Sequence, residues 1–521
     1  MAVGSVPSCQ NAVGLVAQKG AMMSASVRYA FGSAVTLLLT VSPSVAQTDY
    51  QLIDAVKSQD EAAVRFLINQ QADINVVQPD GATALHWASY LNDLALAKLL
   101  VDAGASLDAA NDYGVTPLAL ACDNGSTQMV THLVAAGASV NVTRSTGETP
   151  LMTCSRTGDL KAVQVLLDHG ADPNVAEEWH GQTALMWAAA ERHVDVVRVL
   201  LENGADVHAV SEAGSTVLLI AARENEPEIV NLLVEFGANL DDMAPDGVTP
   251  LIVATVRGHA ALAMRLLEYG ADPNTIATGY TALHWAAGSW HTELTGSLRG
   301  IATERDAEWQ SMNGVRSGKL DLVRSLLRHG ADPDVRLARE PPQYGYASPR
   351  FRVSLLGATP FTLAAMDGNV SVMRALVEVD ADTTLGTDGN TTPLMLAAGL
   401  GRVLAETRVT EDVSIDAVRY VLELGADVNA VNEVGRTPLH GAAHVRSDAV
   451  VQLLVDHGAA VNVADERGVT PLMIAEGGGH IFLPGLGGGS TADLLRELGS
   501  DRTAPSSFIE NFTEGQTRRR R

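Results

Sequence analysis

Residues 435–468 read GRTPLHGAAHVRSDAVVQLLVDHGAAVNVADERG, and most of the chain is a variant of that line. Thr437 can cap a helix through its hydroxyl, and Pro438 supplies the fixed φ wanted at a first helical position. Leu439, Ala442 and Ala443 then give that short helix an apolar face. A second helix is expected from Asp448 to Asp456, carrying Val450, Val451, Leu453 and Leu454, with Gly458 placed to end it in the left-handed conformation. Val461 and Asn462 lead on to a turn at Asp465–Gly468. Neither helix reaches the roughly 12–15 residues that an isolated helix needs in water, so each unit must lean on its neighbours.

The pattern recurs. Capping threonines fall at 83, 116, 149, 183, 216, 249, 281, 359, 392, 437 and 470, mostly 32 to 34 residues apart. Gly stands two residues before ten of the eleven; the exception is Asn390, where Gly389 is shifted by one. The Thr-Pro-Leu-His signature of Thr437–His440, with Gly458-Ala459, Val461 and Asn462, resembles the ankyrin repeat. That resemblance implies an all-α repeat solenoid of about twelve units, each a β-turn finger plus an antiparallel helix pair. It also implies that His86, His284 and His440 bond neighbouring turns. Ala84, Ala184, Val217 and Ala282 replace the helix-starting proline, and Asp380 stands where glycine ends the other second helices.

The expected organisation is a signal peptide at 1–46, a divergent capping repeat at 49–79, regular repeats at 80–280, an enlarged repeat at 281–358, further repeats at 359–499 and a polar tail at 500–521. Residues 1–46 contain no Asp or Glu, and the apolar run 29–41 after Arg28 is followed by Ser44-Val45-Ala46, which reads as cleavage before Gln47. Translation from Met22 or Met23 would give a more ordinary leader. The apolar run is short for a membrane span, so no stable span is expected after cleavage. Cleavage removes Cys9 and leaves Cys122 and Cys154, both at small-residue positions of first helices. They are expected to be free thiols, because stacked helices lie about 8–10 Å apart and a disulfide needs Cα atoms within about 7 Å.

From threonine to helix-ending glycine, regular repeats use 21 residues, whereas Thr281–Gly330, Thr392–Gly425 and Thr470–Gly499 use 49, 33 and 29. The turn from Gly330 to Thr359 is enlarged as well. The two largest additions, about 288–316 and 336–356, sit in one repeat, and insertions into a repeat array often line its binding face. The 336–356 finger carries Arg336, Arg339, Arg350 and Arg352 against Glu340 alone, together with Tyr344, Tyr346 and Phe351. On a chain of formal charge −25, that reversal of sign marks a contact. Arg339, Tyr344, Tyr346, Arg350, Phe351, Arg352 and Trp290 are the candidate partner-binding residues, and the finger could equally dock back on its own repeats.

No basic stripe exists for duplex nucleic acid. His291, Glu293, Asp306 and Glu308 in the first addition lack the spacing of a known metal motif, and the segment 303–310 reads as a short helix packing Trp309. Gly485–Thr491 (GLGGGST) lacks a phosphate-loop lysine, so Thr491 reads as the cap of a final helix at 492–498. The expectation is an exported, monomeric, non-enzymatic scaffold of the periplasm or extracellular space. It would hold a protein partner, with no cofactor and no nucleic acid. Two alternatives stay open: an enzyme or metal protein using the 288–316 addition, and an envelope scaffold binding polymers nonspecifically.

Overall fold

A computed structural model describes residues 50–277, 279–288, 317–339, 353–402, 409–477 and 489–501. The described residues form two units, one ending at Ala213 and one beginning at Gly214. Each is a stack of helix pairs. In the first unit the pairs are Gln51–Lys57 with Glu61–Asn69, Ala84–Tyr90 with Leu94–Asp102, Pro117–Asp123 with Thr127–Ala135, Pro150–Thr157 with Leu160–Asp168, and Ala184–Ala190 with Val194–Glu202. The second unit runs from Val217–Glu224 to Ser490–Glu497 in seven further pairs. Twelve pairs are therefore present among the described residues, and no described helix is long and apolar enough to cross a membrane.

The helices begin and end for the reasons that their sequence gives. In ten repeats the threonine hydroxyl accepts the N–H three residues on, as Thr116 does from Ala119 (3.2 Å) and Thr359 from Thr362 (3.2 Å). This holds at Thr83, Thr183, Thr216 and Thr281 too, where proline is missing. At Thr437 the hydroxyl pairs instead with His440 Nδ1 (2.9 Å). The second helix of that repeat spans Asp448–Asp456 as expected, and Gly458 (φ 89°) ends it while Ala459 N–H bonds Leu454 C=O (3.0 Å). Asp380 takes the same left-handed conformation (φ 62°). The final helix departs from expectation. It starts at Ser490 with Gly489 at the cap, and Thr491 lies inside it because its hydroxyl donates to the Asp448 carboxylate of the preceding second helix.

The core of each unit is a column of residues two after each threonine. Leu85, Leu118, Leu151 and Leu185 in the first unit, and Leu218, Leu251, Leu283, Phe361, Leu394, Leu439 and Leu472 in the second, are all buried. Each is worth about 1.5–3 kcal/mol of burial, which short helices gain only by stacking.

Cys122 and Cys154 are joined in a disulfide, with Cα atoms 4.7 Å apart. The free-thiol expectation fails because it took the distance between helix axes for the distance between facing residues. Each Cα stands about 2.3 Å off its axis, so axes about 8–10 Å apart bring facing Cα atoms to roughly 3–5 Å, well within disulfide reach. Ala121 and Ser155, both fully buried beside the bridge, are small enough to permit that approach.

Candidate functional site

The second finger of the first unit is a turn held by its own first residue. Asn111 accepts the N–H groups of Tyr113 (3.0 Å) and Val115 (2.9 Å), and its C=O accepts from Gly114 N–H (2.8 Å). Gly114 is required twice over. Its φ is +72°, and a Cβ there would stand 2.6 Å from the backbone nitrogen of Ser145 in the next finger.

Fingers are also bonded to one another. In the first unit, N–H groups of Asp112, Ser145, Glu178 and Glu212 donate to C=O groups of Asp80 (2.9 Å), Tyr113 (3.2 Å), Thr146 (2.9 Å) and His180 (2.8 Å). The tips therefore form one bonded row. In the second unit the same ladder links Asp388 to Leu356 (2.7 Å), Glu433 to Gly389 (2.9 Å) and Glu466 to Val434 (3.0 Å).

The fourth finger of the first unit is different. From Gly170 to Thr183 the chain takes 13 residues where its neighbours take 12. The extra length is organised by Glu177, whose buried carboxylate accepts from the N–H groups of Trp179 (2.6 Å), His180 (2.9 Å) and Gln182 (3.1 Å). Trp179 is thereby held at the tip with 69% of its surface exposed, and Tyr113, two fingers away, is 65% exposed.

First helices add to this face. Trp87 and Trp187 are half-buried at equivalent positions, with indole N–H groups bonded to Gln78 (2.9 Å) and Gln182 (3.0 Å). Lys57 lies over the Trp87 ring (4.3 Å) and exposed Tyr90 meets it edge-on (5.8 Å). Asp123, next to the disulfide, receives Arg144 from the third finger and Arg156 from the next first helix (3.0 Å). Among described residues of the first unit, every Trp and Tyr lies on or beside a first helix or on a finger, and none lies on a second helix.

The three histidines perform the turn-bonding role that the resemblance implied, with one gap. His86 Nε2 bonds Val115 C=O (2.9 Å) and His440 Nε2 bonds Val469 C=O (3.1 Å), each in the following finger. In all three, Nδ1 takes the N–H of the capping threonine at 3.1 Å. His284 Nε2 forms no hydrogen bond of normal geometry, and its following finger is the enlarged one. Burial holds His284 and His440 down to about 4 and lowers His86 as well, against the pull of carbonyls and carboxylates.

Of the partner-binding residues expected from sequence, only Arg339 falls among the described residues. It is exposed, and its Cβ lies 2.5 Å from where a Gly279 Cβ would be. Tyr344, Tyr346, Arg350, Phe351, Arg352 and Trp290 lie outside them, as do His291, Glu293, Asp306, Glu308 and Trp309 of the first addition. The base of the enlarged finger joins the ladder through Ala338 N–H to Gly279 C=O (3.1 Å). Arg336 is engaged with Asp388 of the next finger (3.0 Å), so one of the four finger arginines is already paired.

Both large helix-helix additions of the second unit start from tied ends. Lys319 donates to Gly288 C=O (2.7 Å) across the first and pairs with Asp367 (3.6 Å), while buried Arg402 at the start of the second donates to Met366 C=O (2.9 Å), Ala397 C=O (3.1 Å) and Ser414 Oγ (2.6 Å). Burial lowers both cations, Arg402 to about 10, which leaves it charged at neutral pH.

A family model described as ankyrin repeats (three copies) matches residues 52–144, 127–211, 218–300, 311–430 and 407–482. The chain is 31% identical over 109 residues to an NAD-dependent deacetylase, sir2B, of Dictyostelium discoideum, a match covering 19% of this chain and 13% of that protein. The chain thus spans about an eighth of the length of that curated relative. Among solved structures it is similar to the human ASB11 ankyrin repeat domain (28% identity, TM-score 0.37, 42% of this chain and 96% of that one) and to the ankyrin repeat domain of Bcl-3 (29%, TM-score 0.38, 42% and 98%).

Proposed function

Because the chain belongs to the ankyrin-repeat family, matched over most of its length, we propose that it is a non-enzymatic scaffold that holds a protein partner on its finger and first-helix face. The carrying observation is the placement of the aromatics. The chain is poor in them, at 4%, yet among the described residues of the first unit all of them other than Phe66 gather on this one face, with Trp179 and Tyr113 raised on locked fingertips. Rigid, exposed Trp and Tyr are what interface hot spots use. Crosslinking in the native compartment, followed by identification of what is captured, names the partner. A Tyr113→Ala, Trp179→Ala variant should then lose at least about 2 kcal/mol of that binding, about thirtyfold, with little change in thermal midpoint. Unchanged capture would refute the assignment.

A second contact falls on the enlarged finger, through Arg339, Tyr344, Tyr346, Arg350, Phe351 and Arg352, with Trp290 from the neighbouring addition. Arg339, exposed beside the finger ladder, favours it. Export to the periplasm or extracellular space is the reading that the leader-like residues 1–46 and the Cys122–Cys154 disulfide support together, since disulfides persist in oxidising compartments. The exported protein should begin at Gln47 and have an intact mass two hydrogens short of the dithiol. A cytosolic product retaining Arg28, with both thiols open to alkylation after unfolding, would overturn it.

A further inference from the structure

We infer that the fingertip row of the first unit is a docking track for an extended, arginine- or lysine-rich polypeptide segment. This rests on the interaction face proposed above and assigns its partner chemistry. Around the exposed rings of Tyr113 and Trp179, the row carries the exposed carboxylates of Asp80, Asp112, Glu178 and Glu212. None of these four makes an ion pair among the described residues. The one cation in the five fingers, Arg144, is engaged by Asp123 and Glu148 (3.3 Å). The row therefore sets unpaired negative charge beside the two ring types that attract cations to their faces, Asp112 next to Tyr113 and Glu178 next to Trp179.

Its geometry suits an extended chain. The tips are bonded directly to one another in sequence, so Glu178 and Glu212 lie over the glycines of the preceding fingers, 2.9 and 3.2 Å from where Cβ atoms would be at Gly147 and Gly181. Five fingers at stacked-helix spacing cover roughly 40 Å, the length of about twelve extended residues. Glu177 is spent internally on three N–H groups, so the tip keeps its shape when a ligand arrives. Carboxylates also dot the ends of the second helices, at Asp102, Asp168 and Glu202, but no Trp or Tyr accompanies them there. Charge without rings attracts cations nonspecifically; charge with rings at a fixed spacing selects arginine and lysine.

The probe is a fluorescent peptide of about twelve residues alternating arginine and serine, titrated by anisotropy into the mature chain from Gln47 at low salt. Saturable binding is expected. Trp179→Ala should weaken it at least about tenfold, and Asp112→Asn with Glu178→Gln and Glu212→Gln at least about tenfold, while the matched set Asp102→Asn, Asp168→Asn, Glu202→Gln should change it less than about twofold. Equal losses from the two charge sets, or none from Trp179→Ala, would overturn the proposal in favour of bulk charge attraction. If the native partner's capture depends on Tyr113 and Trp179 but the peptide does not bind, the basic chemistry falls and the interaction face stands; if neither depends on them, both fall.

Discussion

His284 and His440 are needed uncharged, because Nδ1 of each must accept the N–H of its capping threonine. Their folded values near 4 lie below the ordinary 6.5, so the unfolded chain takes up protons first as pH falls. The stability that they contribute is complete above about pH 6.5 and is lost progressively between there and pH 4, at about 3 kcal/mol per ring in the limit. Thermal midpoints should therefore fall more steeply over that window for the natural protein than for a His440→Asn variant, and equal slopes would show that the ring titrates normally in the fold. The left-handed residue at Asp380 was legible from register alone. The disulfide was not. Register placed Cys122 and Cys154 on adjacent first helices, and what was missing was how near two facing Cα atoms come when their neighbours are as small as Ala121 and Ser155.

Helices and fingers obey different rules, and their legibility differs accordingly. A helix start is local, a threonine and its N–H three residues on, so the first helices could be placed from sequence even where Ala84, Ala184, Val217 and Ala282 replace proline. The final helix was misplaced because Thr491 serves Asp448 of a neighbouring element, a contact that no local pattern encodes. The fourth finger announced itself only as one extra residue between Gly170 and Thr183; that Glu177 would turn inward and present Trp179 depends on three backbone N–H groups converging in space. Two substitutions separate the two roles. Thr116→Ala should cost about 1 kcal/mol of stability by denaturant unfolding and leave partner binding alone. Glu177→Ala should also destabilise, by about 1–3 kcal/mol through the unsatisfied N–H groups, and should weaken partner capture beyond what that loss explains. Unchanged capture would mean that the locked finger is only structural.

Over the whole molecule the family and the repeat register were readable because the same physical problem, two helices too short to stand alone, is solved by the same residues again and again. What the repeats hold was not readable in that way, since under the proposed function it rests on residues that do not repeat, such as Tyr90, Tyr113 and Trp179, and on which of them the fold leaves exposed. The second unit has an enlarged finger whose base joins that unit's own ladder and whose Arg336 is paired to Asp388, with Arg339 as its other exposed cation among the described residues. Because the central claim concerns a face, it is tested by asking the face directly. A photoreactive amino acid is placed at position 179, at 113 or, on a second helix, at the 62% exposed position 66, and the protein is irradiated in its native compartment. Adducts with one partner protein from positions 113 and 179, with none from 66, are the predicted result; an adduct from 66 with none from 113 and 179 would place the partner on the opposite element of the repeat and contradict the account.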